Sequence, residues 1–153
     1  MLHPSLTAPV AALALLSSAC SGGSSAPGAG GTKTFDASDT RAFAGIAADE
    51  TVHFTGTEPF WGGQVAGGSL TYTTPEDQAG AKIPVSRFAG RNGVSFSGDF
   101  GGQPFVLAIS PGRCSDGMSD RSYPFAVTLQ VKGEQRAGCA WTDKQPFAGA
   151  QQP

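Results

Sequence analysis

From residue 51 to residue 141, apolar and polar side chains alternate in short runs that Gly, Pro, Asn or Asp interrupt every few positions, with no sustained helical period. Alternation places successive side chains on opposite faces of a strand, so the pattern predicts an all-β domain. Eight strands are expected: TVHFT (51–55), GGQVAG (62–67), SLTYTT (69–74), IPVSRFAG (83–90), GVSFSG (93–98), PFVLAIS (104–110), FAVTLQVK (125–132) and EQRAGCAW (134–141). Gly67-Gly68, Arg91-Asn92-Gly93 and Lys132-Gly133 separate consecutive runs and supply the positive φ that tight β-turns need. Eight short strands in meander order favour a small antiparallel barrel, closed or nearly closed, because closure removes edges that would pair with other chains. A two-sheet β-sandwich is the alternative. Outside the strands, the segment DTRAFAGIAA (39–48) suits a short helical turn, with Asp39 as its N-cap.

The first part of the chain has a different pattern. LTAPVAALALLSSA (6–19) is a short apolar run that ends in small residues directly before Cys20, the layout of a signal peptide and its cleavage site. It is shorter than the ~20 apolar residues a membrane-spanning helix requires. Leu16-Ser17-Ser18-Ala19-Cys20 resembles the bacterial lipobox, in which the cysteine sulfur carries diacylglycerol. Ser21, rather than aspartate, follows it, which by the same resemblance directs a lipoprotein to the outer membrane. The stretch that follows is rich in Gly, Ser and Ala, buries too little apolar surface to order itself, and reads as a tether. The expected organisation is a signal peptide (1–19), lipidated Cys20 with a flexible linker (20–38), a β-domain (39–147) and a disordered tail (148–153). The expected location is the cell envelope, with the domain anchored by lipid to the outer membrane and facing the periplasm.

Assigning Cys20 to lipid leaves Cys114 and Cys139 as an even pair, which an oxidising compartment would join. Composition narrows the partners. Charged residues make up 14% of the chain, the net charge is -2, and the Lys and Arg residues are dispersed, so nucleic acid is not an expected partner. His3 and His53 do not form a metal-ligand set with the cysteines, and the carboxylates lack the spacing of a calcium loop. No metal and no cofactor is expected, and the chain reads as a monomer.

Two segments are more specific than generic β-sequence. The first is Thr55-Gly56-Thr57-Glu58-Pro59-Phe60-Trp61 with LTYTTPE (70–76); the second is Cys114-Ser115-Asp116-Gly117-Met118-Ser119-Asp120-Arg121-Ser122-Tyr123-Pro124-Phe125 with Gly138-Cys139-Ala140. Together they resemble a family of bacterial envelope proteins, mostly lipoproteins, that carry GTEPFW and CSDGMSDRxYPF motifs, sometimes beside META-type or C-type lysozyme-inhibitor domains. The resemblance covers roughly residues 50–141. It implies a small envelope β-domain with the two motif cysteines bonded, and it assigns no activity.

The candidate binding or structural residues are Glu58, Phe60, Trp61, Asp116, Asp120, Arg121 and Tyr123. Phe60, Trp61, Tyr123 and Phe125 read first as core anchors, whose burial contributes about 1.5–3 kcal/mol each. The alternative is an exposed aromatic patch that takes a ligand. The carboxylates read first as loop organisers or as ion-pair partners of Arg121. Glu58 with Asp116 or Asp120 as an acid and base is the weaker reading. The expected function is therefore a non-enzymatic, membrane-anchored binding or structural module that acts on an envelope protein or a small ligand. Inhibition of a cell-wall hydrolase is the first alternative and a carboxylate-based hydrolase the second.

Overall fold

A computed structural model describes residues 40–150. The expected signal peptide, Cys20, the linker, Asp39 and the last three residues lie outside that range. The described chain is all-β, with eight strands: β1 (Val52–Thr57), β2 (Phe60–Ala66), β3 (Ser69–Thr73), β4 (Ala81–Ala89), β5 (Val94–Asp99), β6 (Pro104–Cys114), β7 (Tyr123–Val131) and β8 (Glu134–Thr142). Each strand pairs antiparallel with the next, and β1 pairs with β8, which closes the barrel. Closure settles the choice against a sandwich. The Lys132-Gly133 turn has φ of 51° and 79°, the left-handed pair a two-residue hairpin requires.

Alternation determines what fills the barrel. Val52 and Phe54 of β1, Leu70 and Tyr72 of β3, Phe105, Leu107 and Ile109 of β6, and Phe125, Val127, Leu129 and Val131 of β7 are buried in one cluster. These side chains fill the interior of the barrel, one of the two arrangements open to eight strands. Trp61 is also inside. Its indole lies where a Cβ on its cross-strand neighbour Gly56, or on Gly138 of β8, would overlap it. Those two glycines leave the room that the largest core side chain occupies.

The two ends differ. At one, the segment preceding β1 crosses the barrel opening. The helical turn expected over 39–48 is not formed among its described residues; instead the Phe43 N–H donates to Gly90 O (2.7 Å), Ile46 is buried in the core, and a turn joins Ala47 to Glu50. Tertiary contact decides against the helix, because the buried Ile46 and the Phe43–Gly90 backbone bond stabilise more than one isolated helical turn can. Arg87, inward on β4, donates from Nη2 to Ile46 O at 2.7 Å and locks this strap down. The other end, formed by the β1–β2, β3–β4, β5–β6 and β7–β8 connections, has no such cover among the described residues.

The β6–β7 ladder shifts register between Pro111 and Cys114, where Pro111 lacks the N–H a regular ladder would use. Beyond this bulge the chain folds over the outer wall of the barrel, and Cys114 is bonded to Cys139 of β8 with their Cα atoms 5.6 Å apart. Ala148, assigned from sequence to a disordered tail, is instead bridged to Ser122 by reciprocal backbone bonds of 2.7 and 2.9 Å.

Candidate ligand site at the barrel mouth

The open end holds a cavity of about 580 Å³, with walls formed by residues from all four connections. Pro59 comes from the β1–β2 turn and Phe60 from the start of β2, Thr74 to Asp77 from the β3–β4 loop, Phe100 from the β5–β6 loop, and Lys132 from the β7–β8 turn. Its volume lies within the ordinary range of small-molecule pockets, about 300–1,000 Å³. Phe60 is 54% exposed, a large apolar ring left in water at the rim. A second groove of about 300 Å³ shares Phe60, Thr74 and Pro75 with the cavity and runs along Gly56 and Trp61. Trp61 Nε1 is buried without a hydrogen-bond acceptor among the described residues.

Deeper in the mouth, Arg136 of β8 donates from Nη1 to the Tyr72 hydroxyl (3.0 Å) and from Nη2 to Glu134 Oε2 (2.8 Å). Its Nε is buried with no acceptor among the described residues. Burial raises the Tyr72 phenol above its usual value, with Arg136 pulling the other way, so the hydroxyl stays protonated at neutral pH. Tyr72 also packs edge-on against Phe100 and Phe105, with ring centres 5.8 and 5.6 Å apart. The Lys132 ammonium lies 5.1 Å from the Phe100 ring centre. Glu76 is held below the usual carboxylate range by its own backbone N–H and the Thr74 hydroxyl, with burial opposing and Arg136 contributing less.

The residues of the second motif do not line this mouth; they build a locked loop on the outer wall. Asp116 Oδ1 accepts the Met118 and Ser119 N–H groups (3.0 and 2.9 Å), and Oδ2 accepts the Ser119 and Tyr123 hydroxyls (2.7 and 3.0 Å). Burial would raise this carboxyl, but those four donors outweigh it and hold Asp116 far below the usual range. Tyr123 is buried outside the main core, between Trp141 (5.6 Å) and Phe147 (5.5 Å), and burial raises its phenol. The Arg121 guanidinium stacks over Phe147 at 4.5 Å. Met118 projects from the loop, 61% exposed. Asp120 is exposed, as is Glu58 at the β1–β2 turn.

The two motifs are therefore neighbours with different roles. The Thr57 hydroxyl donates to Asp116 O (3.3 Å), which fastens the turn bearing Glu58 and Phe60 to the locked loop. Trp61 and Phe125 are core anchors, Tyr123 anchors a satellite cluster, and Phe60 is the ring presented to solvent. Sequence reasoning missed Arg136, Lys132 and Phe100. For Arg136 a signal existed: it shares parity with Gly138 and Ala140 on β8, so alternation places a cation facing inward. His53, expected at the surface, faces outward, stacked on Trp141 (5.3 Å) and bonded to Asp143 (2.9 Å). The chain matches no family model, no curated protein and no solved structure.

Proposed function

We propose that the protein is a lipid-anchored binding module of the bacterial cell envelope, and that the barrel mouth is where it takes a small ligand. The observation that carries this reading is the asymmetry of the barrel. One end is closed by the strap around Ile46; the other opens into a cavity of about 580 Å³ rimmed by a half-exposed Phe60. A solvent-exposed aromatic ring beside convergent polar groups is what a recognition surface needs, and it contributes little to folding. The described chain enters the barrel at the closed end, away from the mouth.

Two measurements test the two halves of the proposal. Intact-mass analysis of membrane-extracted protein should show a chain beginning at Cys20 with acyl mass, lost in Cys20→Ala. A soluble, unacylated product would remove the anchor. For the ligand, native mass spectrometry of protein isolated from the envelope should show a bound species that Phe60→Ala loses. A wild-type protein that emerges bare, and that no compound in a broad metabolite screen stabilises thermally, would remove the binding function.

A second reading, inhibition of a cell-wall hydrolase, is favoured by the loop over 115–122. It is fixed by a disulfide and by four bonds to Asp116 and displays an exposed Met118, a preorganised shape suited to insertion into a partner's cleft. Such an inhibitor should slow a muramidase at micromolar concentration, and Met118→Asp should abolish the effect. No slowing by the wild type across a panel of lysozymes would end this reading.

A further inference from the structure

Resting on the mouth as a ligand site, we propose that its ligand is a small zwitterion bearing an apolar side chain, an amino acid or a short peptide. Its carboxylate would be read by Arg136 and Lys132, and its ammonium by Glu76 and Asp77.

In a closed barrel ordered β1 to β8, connections that follow β1, β3, β5 and β7 stand a quarter-turn apart around one rim. The β3–β4 and β7–β8 connections therefore face each other, as do β1–β2 and β5–β6. The chemistry sorts by side. Glu76 and Asp77 belong to the β3–β4 wall, whereas Lys132 belongs to the opposing β7–β8 turn and Arg136 to β8 next to it. The remaining two sides present aromatic rings, Phe60 and Phe100. The lining charges balance in sum, and the acidic and basic side chains come from different connections, with the Arg136 guanidinium reaching to Tyr72 of β3. A plain anion would be repelled by the acidic wall and a plain cation by the basic one. A molecule with both signs at its ends and an apolar body between the rings satisfies all four sides.

The basic side also has capacity to bind. Arg136 presents a guanidinium whose Nε has no acceptor among the described residues. The carboxylate bonded to it, Glu134, is 66% exposed, and a solvated partner holds a guanidinium only weakly. Arg87, the inward arginine at the opposite end, shows the contrast, since the strap carbonyl of Ile46 already accepts from it at 2.7 Å. Tyr72 fixes Arg136 from beneath, so the cation is positioned before a ligand arrives.

The test is calorimetric titration of the folded domain with four forms of one probe: the dipeptide Ala-Phe free, N-acetylated, C-amidated, and blocked at both ends. The free dipeptide should bind tightest, and each block should weaken binding roughly tenfold. Because Glu76 and Lys132 are exposed, Glu76→Gln and Lys132→Met should fold normally. Glu76→Gln should weaken the forms with a free amino group and leave the acetylated form unchanged. Lys132→Met should do the reverse, acting only on forms with a free carboxylate. Equal binding of the doubly blocked dipeptide would overturn the charge reading while leaving the mouth as a binding site. If none of the four binds, the zwitterion is excluded. In that event a ligand from the metabolite screen, lost in Phe60→Ala, would still support the binding module.

Discussion

Phe60 and Trp61 are consecutive residues with opposite surroundings: Trp61 is 4% exposed within the barrel, and Phe60 is 54% exposed on its rim. Strand alternation explains the reversal, because β2 begins at Phe60 and its second residue points inward. Trp61→Ala should therefore cost about 3–5 kcal/mol, the usual loss for a buried aromatic whose cavity cannot collapse. Phe60→Ala should change stability by less than about 0.5 kcal/mol, as surface substitutions do. Chemical denaturation of the two variants beside the wild type checks both, and equal losses would show that Phe60 is a packing residue.

The disulfide closes a loop with a sequence separation of 25 residues. In the chain-entropy account such a link stabilises by about 3.5 kcal/mol at 25 °C. The double variant Cys114→Ser, Cys139→Ser should lower the melting temperature by roughly 10–15 °C in a domain of this size. A shift of a degree or two, in protein shown by mass to be oxidised beforehand, would mean that the Asp116 network holds the loop without the bond.

Strand number and order were legible because the barrel's periodicity is local: the strands between residues 52 and 142 alternate, and the β2–β3, β4–β5 and β7–β8 hairpins carry turn glycines, whereas closure was left against a sandwich alternative. The strap was not legible. Its apolar residues at 43, 46 and 47 suit a helical face in isolation, and only the Gly90 carbonyl and the Arg87 guanidinium, more than forty positions away, make the non-helical path the better choice. The site was half legible for the same reason. Phe60 and the TTPE segment stand out as motif residues, whereas Arg136 and Lys132 become site residues only once closure brings β8 opposite the β3–β4 loop.

The strap makes a separate prediction about the closed end. Ile46 is 1% exposed and its carbonyl is the acceptor for Arg87. Ile46→Ala should cost about 2–5 kcal/mol for the lost side chain. Arg87→Met should cost less, since it removes a charged donor from a carbonyl that water can then reach. Hydrogen exchange should show the Phe43 amide losing protection in both variants while the β6 and β7 amides keep theirs. Uniform loss across all strands would mean that the strap and barrel unfold as one unit.

Asp116 gives the domain a pH dependence whose sign follows from its surroundings. Its carboxyl is held far below the usual range when folded and titrates near about 3.9 when unfolded. The unfolded chain therefore takes up the proton first as the pH falls. The contribution of the four hydrogen bonds is complete above about pH 5, and it declines as the pH drops through about 4 toward the folded value. In Asp116→Asn one oxygen remains to accept the Met118 and Ser119 N–H groups, but the charge that strengthens all four bonds is gone. The expected loss is about 1–2 kcal/mol at pH 7. Melting temperatures measured from pH 2 to pH 8 should show a constant gap between wild type and variant at the upper end and a narrowing gap below about pH 4. A gap that stays constant down to pH 2 would mean that another carboxylate governs acid unfolding, and that the Asp116 bonds do not depend on its charge.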